Sequence, residues 1–177
     1  MYKEIERKYL LKDDVNITKL VKTLIPVKIV QGYITPLCVS ETKASVRVRI
    51  VGDSDAVMTV KENVSGITRV ELENEIPLSH AKHMMDHLMT GKVEKKRYIY
   101  HYYGLNFEID VFSGDNEGLV VVEVELKDEN QEIILPDFIG REVTFEPKYF
   151  NLQLAQVPYK EWTDIRKLQR QLENQKN

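Results

Sequence analysis

The chain has 177 residues, 42% of them hydrophobic and 30% charged, enough to bury one sizeable core in a single domain. Its 25 Lys and Arg against 28 Asp and Glu leave a formal net charge of -3, which excludes generic electrostatic attraction to nucleic acid or an acidic membrane, so affinity for anions must be local. The single cysteine, Cys38, excludes an internal disulfide. With the charged start MYKEIERKYLL and no stretch of about 18 apolar residues, it leads to the expectation of a soluble cytoplasmic protein outside the membrane.

A period of two runs through most of the chain. Residues 3–11 form the first predicted strand. A helix over 15–25 follows, then strands over 28–35, 44–51, 56–62 and 67–77, with turn signals at Gly52-Asp53 and Ser65-Gly66. A second helix is expected over 79–89, with Ser79 as N-cap, Ala81, Met84, Met85 and Leu88 as its apolar stripe, and Gly91 past its end. Strands over 92–103, 105–112 and 118–126 come next, divided by Gly104 and Gly114-Asp115. From Pro158 onward Trp162, Ile165, Leu168 and Leu172 recur at helical spacing. The expected organisation is one domain over 1–157 with a C-terminal helix, 158–177, packed on it.

Successive strand residues point to opposite faces, so each strand can be sorted by side. Ile5, Tyr9 and Leu11 oppose Glu4, Glu6 and Lys8; Val46, Val48 and Ile50 oppose Arg47 and Arg49; Met58 and Val60 oppose Lys61. Val70, Leu72 and Ile76 oppose Arg69, Glu71, Glu73 and Glu75; Phe107, Ile109 and Val111 oppose Glu108 and Asp110; Val120, Val122, Val124 and Leu126 oppose Glu123 and Glu125. In 92–103 the pattern is mixed, because Lys95 and Arg97 share a face with Val93 and Ile99. An antiparallel sheet with its charged side in water would explain much of this. Eight short-connected strands instead suggest an α+β fold built on a closed eight-stranded antiparallel β-barrel, with helices covering the apolar outside and charges lining the interior. Like charges about 4 Å apart repel by about 4 kcal/mol at an effective dielectric near 20, so such an interior implies something to bind. Arginine and lysine suit phosphate oxygens, and clustered carboxylates suit hard cations such as Mg²⁺ or Mn²⁺.

Glu4-Ile5-Glu6-Arg7-Lys8 resembles the ExExK signature of the CYTH, or triphosphate tunnel metalloenzyme, family. Further motifs follow in family order: R-x-R at Arg47 and Arg49, a lysine at Lys61, R-x-E-x-E at Arg69, Glu71 and Glu73, K-x-R at Lys95 and Arg97, and E-x-E at Glu123 and Glu125. Lys148-Tyr149-Phe150-Asn151 is similar to the basic residue, Tyr-x-Asn and short helix near the family's end, although the family commonly has arginine at the basic position. The resemblance implies an eight-stranded tunnel open at both ends and a metal-dependent hydrolysis of a triphosphate. It implies Glu4, Glu6, Glu123 and Glu125 as metal ligands for Mg²⁺ or Mn²⁺. Lys8, Arg47, Arg49, Lys61, Arg69, Lys95, Arg97 and Lys148 would hold phosphate. Glu4, Glu6, Lys8, Glu71 and Glu73 are the expected catalytic groups, and Asp110 would orient the basic residues or serve as a plain ion-pair partner.

Inorganic triphosphate is the leading substrate on this reading, with no nucleic-acid partner and the oligomeric state left open. A class IV adenylyl cyclase, a thiamine triphosphatase and a nucleoside triphosphatase are alternatives within the family. A non-catalytic polyphosphate- or nucleotide-binding module is the alternative outside enzymology; the presence of both E-x-E pairs favours catalysis. His80, His83 and His87 have spacing that could suit zinc, but the helix's apolar stripe occupies another face and leaves them solvated. The tyrosines at 98, 100, 102 and 103 read as strand packing rather than a base-stacking platform, and Cys38 carries no nucleophile signature.

Overall fold

The computed structural model describes residues 2–34, 44–65 and 68–162, without the side chains of 2–4, 44, 61–65 and 68–71. Alternating apolar and charged residues extend the chain into β1 (Tyr2–Leu11), β2 (Val27–Ile34), β3 (Ala44–Val51), β4 (Asp55–Ser65), β5 (Thr68–Glu75), β6 (Gly91–Tyr102), β7 (Leu105–Ser113) and β8 (Val120–Glu125). These agree with the eight expected strands to within a few residues. A ninth strand, β9 (Ile139–Glu142), corrects the count. Its sequence, Ile-Gly-Arg-Glu, is too short and polar to show a period of two, and pairing with Tyr9 and Leu11 is what extends it.

The strands form one antiparallel sheet in the order β5-β4-β3-β2-β6-β7-β8-β1-β9, and β5 also pairs with β1, from Tyr2↔Glu71 to Ile5↔Thr68. β1 therefore shares one edge between β5 and β9 and bonds β8 along the other, Glu6 opposite Glu125 and Lys8 opposite Glu123. The β6–β7 connection is a two-residue turn with φ of 45° at Tyr103 and 75° at Gly104. Positive φ at both central residues is the primed geometry that matches the twist of the flanking strands.

The apolar sides of the strands are covered by what lies between them. Ile5, Tyr9, Phe107, Ile109, Val122 and Val124 pack beneath Val15, Ile17, Leu20, Val21 and Leu24. That segment was expected to be helical over 15–25, but only α1 (Ile17–Leu20) is α-helical, capped by Asn16, whose side chain accepts from the Lys19 amide. Beyond it the bonds tighten, the Leu24 amide reaching the Val21 carbonyl, and Pro26 forces an exit. α2 (Leu78–His87) lays Ala81 and Met85 over Val48 and Ala56, with Leu78, Met84 and Met89 alongside. Its N-cap is Pro77 rather than Ser79, and Leu88 is exposed at its end rather than part of the stripe. His80, His83 and His87 are exposed, as the solvated reading expects. No helix among the described residues is long and apolar enough to cross a membrane.

α3 (Asn151–Gln156), the short helix after the Tyr-x-Asn segment, packs on the other side of the sheet. Leu154 and Ala155 join Val93, Phe112, Val121, Tyr33 and Tyr149 in a buried cluster, and Val93, Phe112 and Val121 belong to the same faces as Lys95, Asp110 and Glu123. The charged face thus adjoins an apolar cluster covered by α3. Asn116 ties this corner together, its amide donating to the Leu154 carbonyl and its oxygen accepting from the Tyr159 amide. Of the tail read as a helix from Pro158, the described part holds a 3₁₀ turn at Tyr159–Glu161; residues 163–177, like Cys38, lie outside the described residues.

α3 lies so close to β6 that a Cβ on Gly91 would stand 2.2 Å from the Ala155 carbonyl oxygen. Gly91→Ala should therefore push α3 from its seat and lower stability by about 1–3 kcal/mol. Urea unfolding of the two proteins measures this directly, and an unchanged midpoint would contradict the close contact.

Candidate active site

The face opposite the apolar cores gathers charged side chains from six strands. Lys8, Arg47, Lys95, Asp110 and Glu123 are buried, as are the uncharged Gln31 and Thr59. Burial of this kind is stable only when each charge is paired and hydrogen-bonded. Asp110 is the hub of one part: it accepts from Arg97 Nε at 2.7 Å and Arg97 Nη2 at 2.6 Å, a bidentate fork, and also bonds the Lys95 ammonium. Arg97 Nη2 also reaches Glu123 Oε2 at 2.7 Å, and Arg97 pairs with Glu108. The second oxygen of Glu123 accepts from Lys8, which is 2.8 Å from Glu6 Oε1. An unbroken chain of opposite charges thus runs from Lys95 on β6 to Glu6 on β1.

A second group lies on β3, β4 and β5. Arg47 Nη2 donates to Thr59 Oγ1 at 3.1 Å and lies 3.4 Å from Glu73 Oε1, which also accepts from the Thr59 hydroxyl at 3.0 Å. Arg47 Nε is buried with no hydrogen-bond partner among the described residues. Arg49 Nε donates to Gln31 Oε1 at 3.3 Å, and Gln31 Nε2 donates to the Tyr33 hydroxyl at 3.1 Å.

Protonation follows from these surroundings. Burial would lower the Lys8 ammonium, but Glu123 and Glu6 outweigh it and hold Lys8 above its ordinary value. Burial likewise disfavours Arg97, yet Asp110, Glu123 and Glu108 raise it well above. Burial would raise Glu123, while Lys8, Lys95 and Arg97 hold its carboxyl well below the usual range. Glu108 is pushed up by burial against the opposing pull of Arg97. Lys95 goes the other way: burial, then the positive charge of Arg97, brings it down to about 8, because Asp110 is shared with that stronger cation. Arg49 is lowered by burial and by Arg47 and Arg97. Tyr33 is pushed up to about 12, mainly by burial.

Of the residues singled out from sequence, Glu6, Lys8, Arg47, Arg49, Glu73, Lys95, Arg97 and Glu123 come together on this face, with Glu125 opposite Glu6 in the β1–β8 register. Asp110 is ion-paired with both Lys95 and Arg97. The side chains of Glu4, Lys61, Arg69 and Glu71 lie outside the described residues; their backbones pair as Glu4↔Arg69 and Lys61↔Glu71. Lys148 is not brought to the cluster: it lies 3.7 Å from Glu146 and over the Tyr149 and Trp162 rings at 5.0 and 5.1 Å. Among the described residues no three His, Cys, Asp or Glu side chains converge as a metal cage. Sequence reasoning missed Gln31, Thr59, Tyr33 and the contribution of Asn151, whose Oδ1 lies 3.5 Å from Lys95 Nζ. A polar residue between Ile29 and Tyr33 in an otherwise apolar strand was the available sign for Gln31.

A family model for the CYTH domain matches residues 2–156, nearly the whole described chain. The chain belongs to the CYTH family. Among CYTH relatives, an inorganic triphosphatase of Acetivibrio thermocellus is 41% identical over 165 residues, covering 93% of this chain and all of that protein. An inorganic triphosphatase of Nitrosomonas europaea is 34% identical over 155 residues, covering 86% of this chain and 96% of its own. The crystal structure of an inorganic triphosphatase superimposes with a TM-score of 0.60 at 32% identity, covering 88% of this chain and 95% of that one.

The depressed Lys95 gives the CYTH cluster a pH signature. Between pH 8 and the ordinary lysine value of 10.5 the unfolded chain carries the Lys95 proton and the folded chain does not. Stability linked to this group therefore rises with pH across that window and is lowest below it. Lys95→Met should flatten this part of the dependence of unfolding free energy on pH, measured by denaturant titration. Asp110→Asn should cost about 3–5 kcal/mol in the same assay, since it leaves the buried Lys95 without its carboxylate and takes one of three from Arg97.

Proposed function

We propose that this CYTH protein hydrolyses the terminal phosphoanhydride of inorganic triphosphate, as a soluble cytoplasmic enzyme acting on a small molecule. The observation that carries the reading is the convergence of buried Lys8, Arg47 and Lys95 with half-buried Arg49 and Arg97 on one face, including an Arg47 Nε with no hydrogen-bond partner among the described residues. A buried donor left unpaired inside a cationic cluster is what an anion with many acceptor oxygens relieves. The two inorganic triphosphatases aligned over 93% and 86% of this chain support the same substrate.

On this reading β5 and β1 join the sheet's two sides into a tunnel with the charged face inward. Lys8, Arg47, Arg49, Lys61, Arg69, Lys95 and Arg97 hold phosphate oxygens, while Lys148 stays outside. Glu4, Glu6, Glu123 and Glu125 offer hard oxygen donors that suit Mg²⁺ or Mn²⁺, which keep several waters and need few protein ligands. The bound cation would supply neutralisation of phosphate charge and a more acidic water. Glu71 and Glu73 orient the attacking water. Its oxygen bonds to the terminal phosphorus as the bridging P–O bond breaks; pyrophosphate departs with its charge held by the arginines, the other product is orthophosphate, and the proton lost by the water passes to solvent. The persistent positive charge of Lys8 and Arg97 suits stabilisation of the phosphoryl group rather than proton transfer.

Phosphate release with inorganic triphosphate, pyrophosphate, ATP and thiamine triphosphate, each with Mg²⁺ or Mn²⁺ and with cyclic AMP measured in parallel, tests the reading. Inorganic triphosphate should turn over fastest, EDTA should abolish release, and Glu6→Gln or Glu125→Gln should lower kcat by about a hundredfold or more. Full activity in EDTA, or wild-type turnover in both folded variants, would sink the mechanism.

A further inference from the structure

Among the described cations of the charged face, four are matched by carboxylates: Lys8 by Glu6 and Glu123, Arg47 by Glu73, Lys95 by Asp110, and Arg97 by Asp110, Glu108 and Glu123. Arg49 differs. Its hydrogen-bond partner is the neutral amide of Gln31, and no carboxylate among the described residues lies within ion-pairing distance of it. Gln31 is itself fully buried, between Ile29 and Tyr33 on the inner side of β2, and it sits opposite Arg49 in the β2–β3 register.

The orientation of the amide is dictated by chemistry. A guanidinium only donates, so Gln31 must turn its oxygen to Arg49, leaving its NH₂ to donate to Tyr33. Tyr33 is buried in the apolar cluster that α3 covers, which makes it a fixed post. The chain Tyr33–Gln31–Arg49 thus holds Arg49 by Nε alone. The two terminal nitrogens, the pair that matches two phosphate oxygens, have no hydrogen-bond partner among the described residues.

We propose that Gln31 is a positioning residue that aims Arg49 at the substrate while giving it no carboxylate ion pair among the described residues, so that Arg49 is the principal electrostatic attractor for the polyanion. A carboxylate at the same place would hold the guanidinium equally well and cancel its charge, in competition with phosphate. The neutrality of residue 31 is therefore the functional property, and its hydrogen bond the geometric one. The inference rests on the triphosphate reading of the site and deepens it.

The experiment compares steady-state hydrolysis of inorganic triphosphate, and the rise in unfolding temperature that inorganic triphosphate produces, in wild type, Arg49→Ala, Gln31→Glu and Gln31→Met. Gln31→Glu keeps the shape and should fold, yet raise KM about tenfold while kcat changes less than about threefold. Gln31→Met should raise KM about threefold, and it should add nothing to Arg49→Ala in the double variant, because its effect runs through that guanidinium. If Arg49→Ala leaves KM and the temperature rise unchanged, both the phosphate reading of Arg49 and this proposal fall. If Arg49→Ala weakens both and Gln31→Glu matches wild type, the proposal alone falls. Loss of unfolding temperature without ligand in both Gln31 variants, with kcat and KM moving together, would make Gln31 a structural residue and also overturn it.

Discussion

Two cations and two anions of one sheet face, Lys8, Arg97, Asp110 and Glu123, are bound to each other out of contact with most of the solvent, and the remaining architecture makes sense as the means of keeping them there. Removing any one member would leave its partners charged and buried, which costs more than the pair ever returned. The strands carrying these residues therefore need rigid backing. They receive it from the apolar residues on their other faces, where α2 and the segment containing α1 cover two separate cores. α3 and the turn at Tyr159–Glu161 perform the same service from the inner side, covering the apolar cluster that adjoins the charges.

The opposing effects within the cluster sort its members by role. Lys8 and Arg97 are held charged by several carboxylates at once, whereas Lys95 loses the contest for Asp110 and titrates near pH 8. Glu123, with one oxygen on Lys8 and the other on Arg97, has its carboxyl held well below the usual range. Permanent charges and one adjustable one fit a site whose task is to match a substrate carrying several negative charges, with the remaining mismatch left at Arg49.

Much of this was legible in the chain itself. A strict period of two fixes which side of a strand a residue takes, so the charged faces of β1, β3, β7 and β8 could be assigned from residue types alone, and even the mixed strand β6 had its Lys95 and Arg97 marked. Neutral members were not legible: Gln31 and Thr59 carry no charge to betray their side, and their importance comes from arginines on neighbouring strands. β9 has only four residues and exists through its partner β1. Lys148 shows the opposite failure, where a matching motif placed a charge that tertiary packing sends onto Tyr149 and Trp162. The first helix was overcalled for a similar reason: periodicity over 15–25 reports which residues touch the core, and a chain bending through tightened turns toward Pro26 touches it just as well.

β1 pairs with β5, β8 and β9, and Lys8 meets Glu123 across 115 positions of chain. No local hairpin contains this site. A fragment holding β6 and β7 keeps Arg97 with Asp110, but neither Lys8 nor Glu123, and a fragment holding β3 and β4 keeps Arg47 with Thr59 but not Glu73. The chemistry is consequently a property of the whole chain in register, formed through contacts of high sequence separation whose ordering entropy is met only when the sheet is complete. Any opening that parts the first strand from the eighth scatters the charges back into water at the same moment. The charged cluster and the global fold therefore share one melting event.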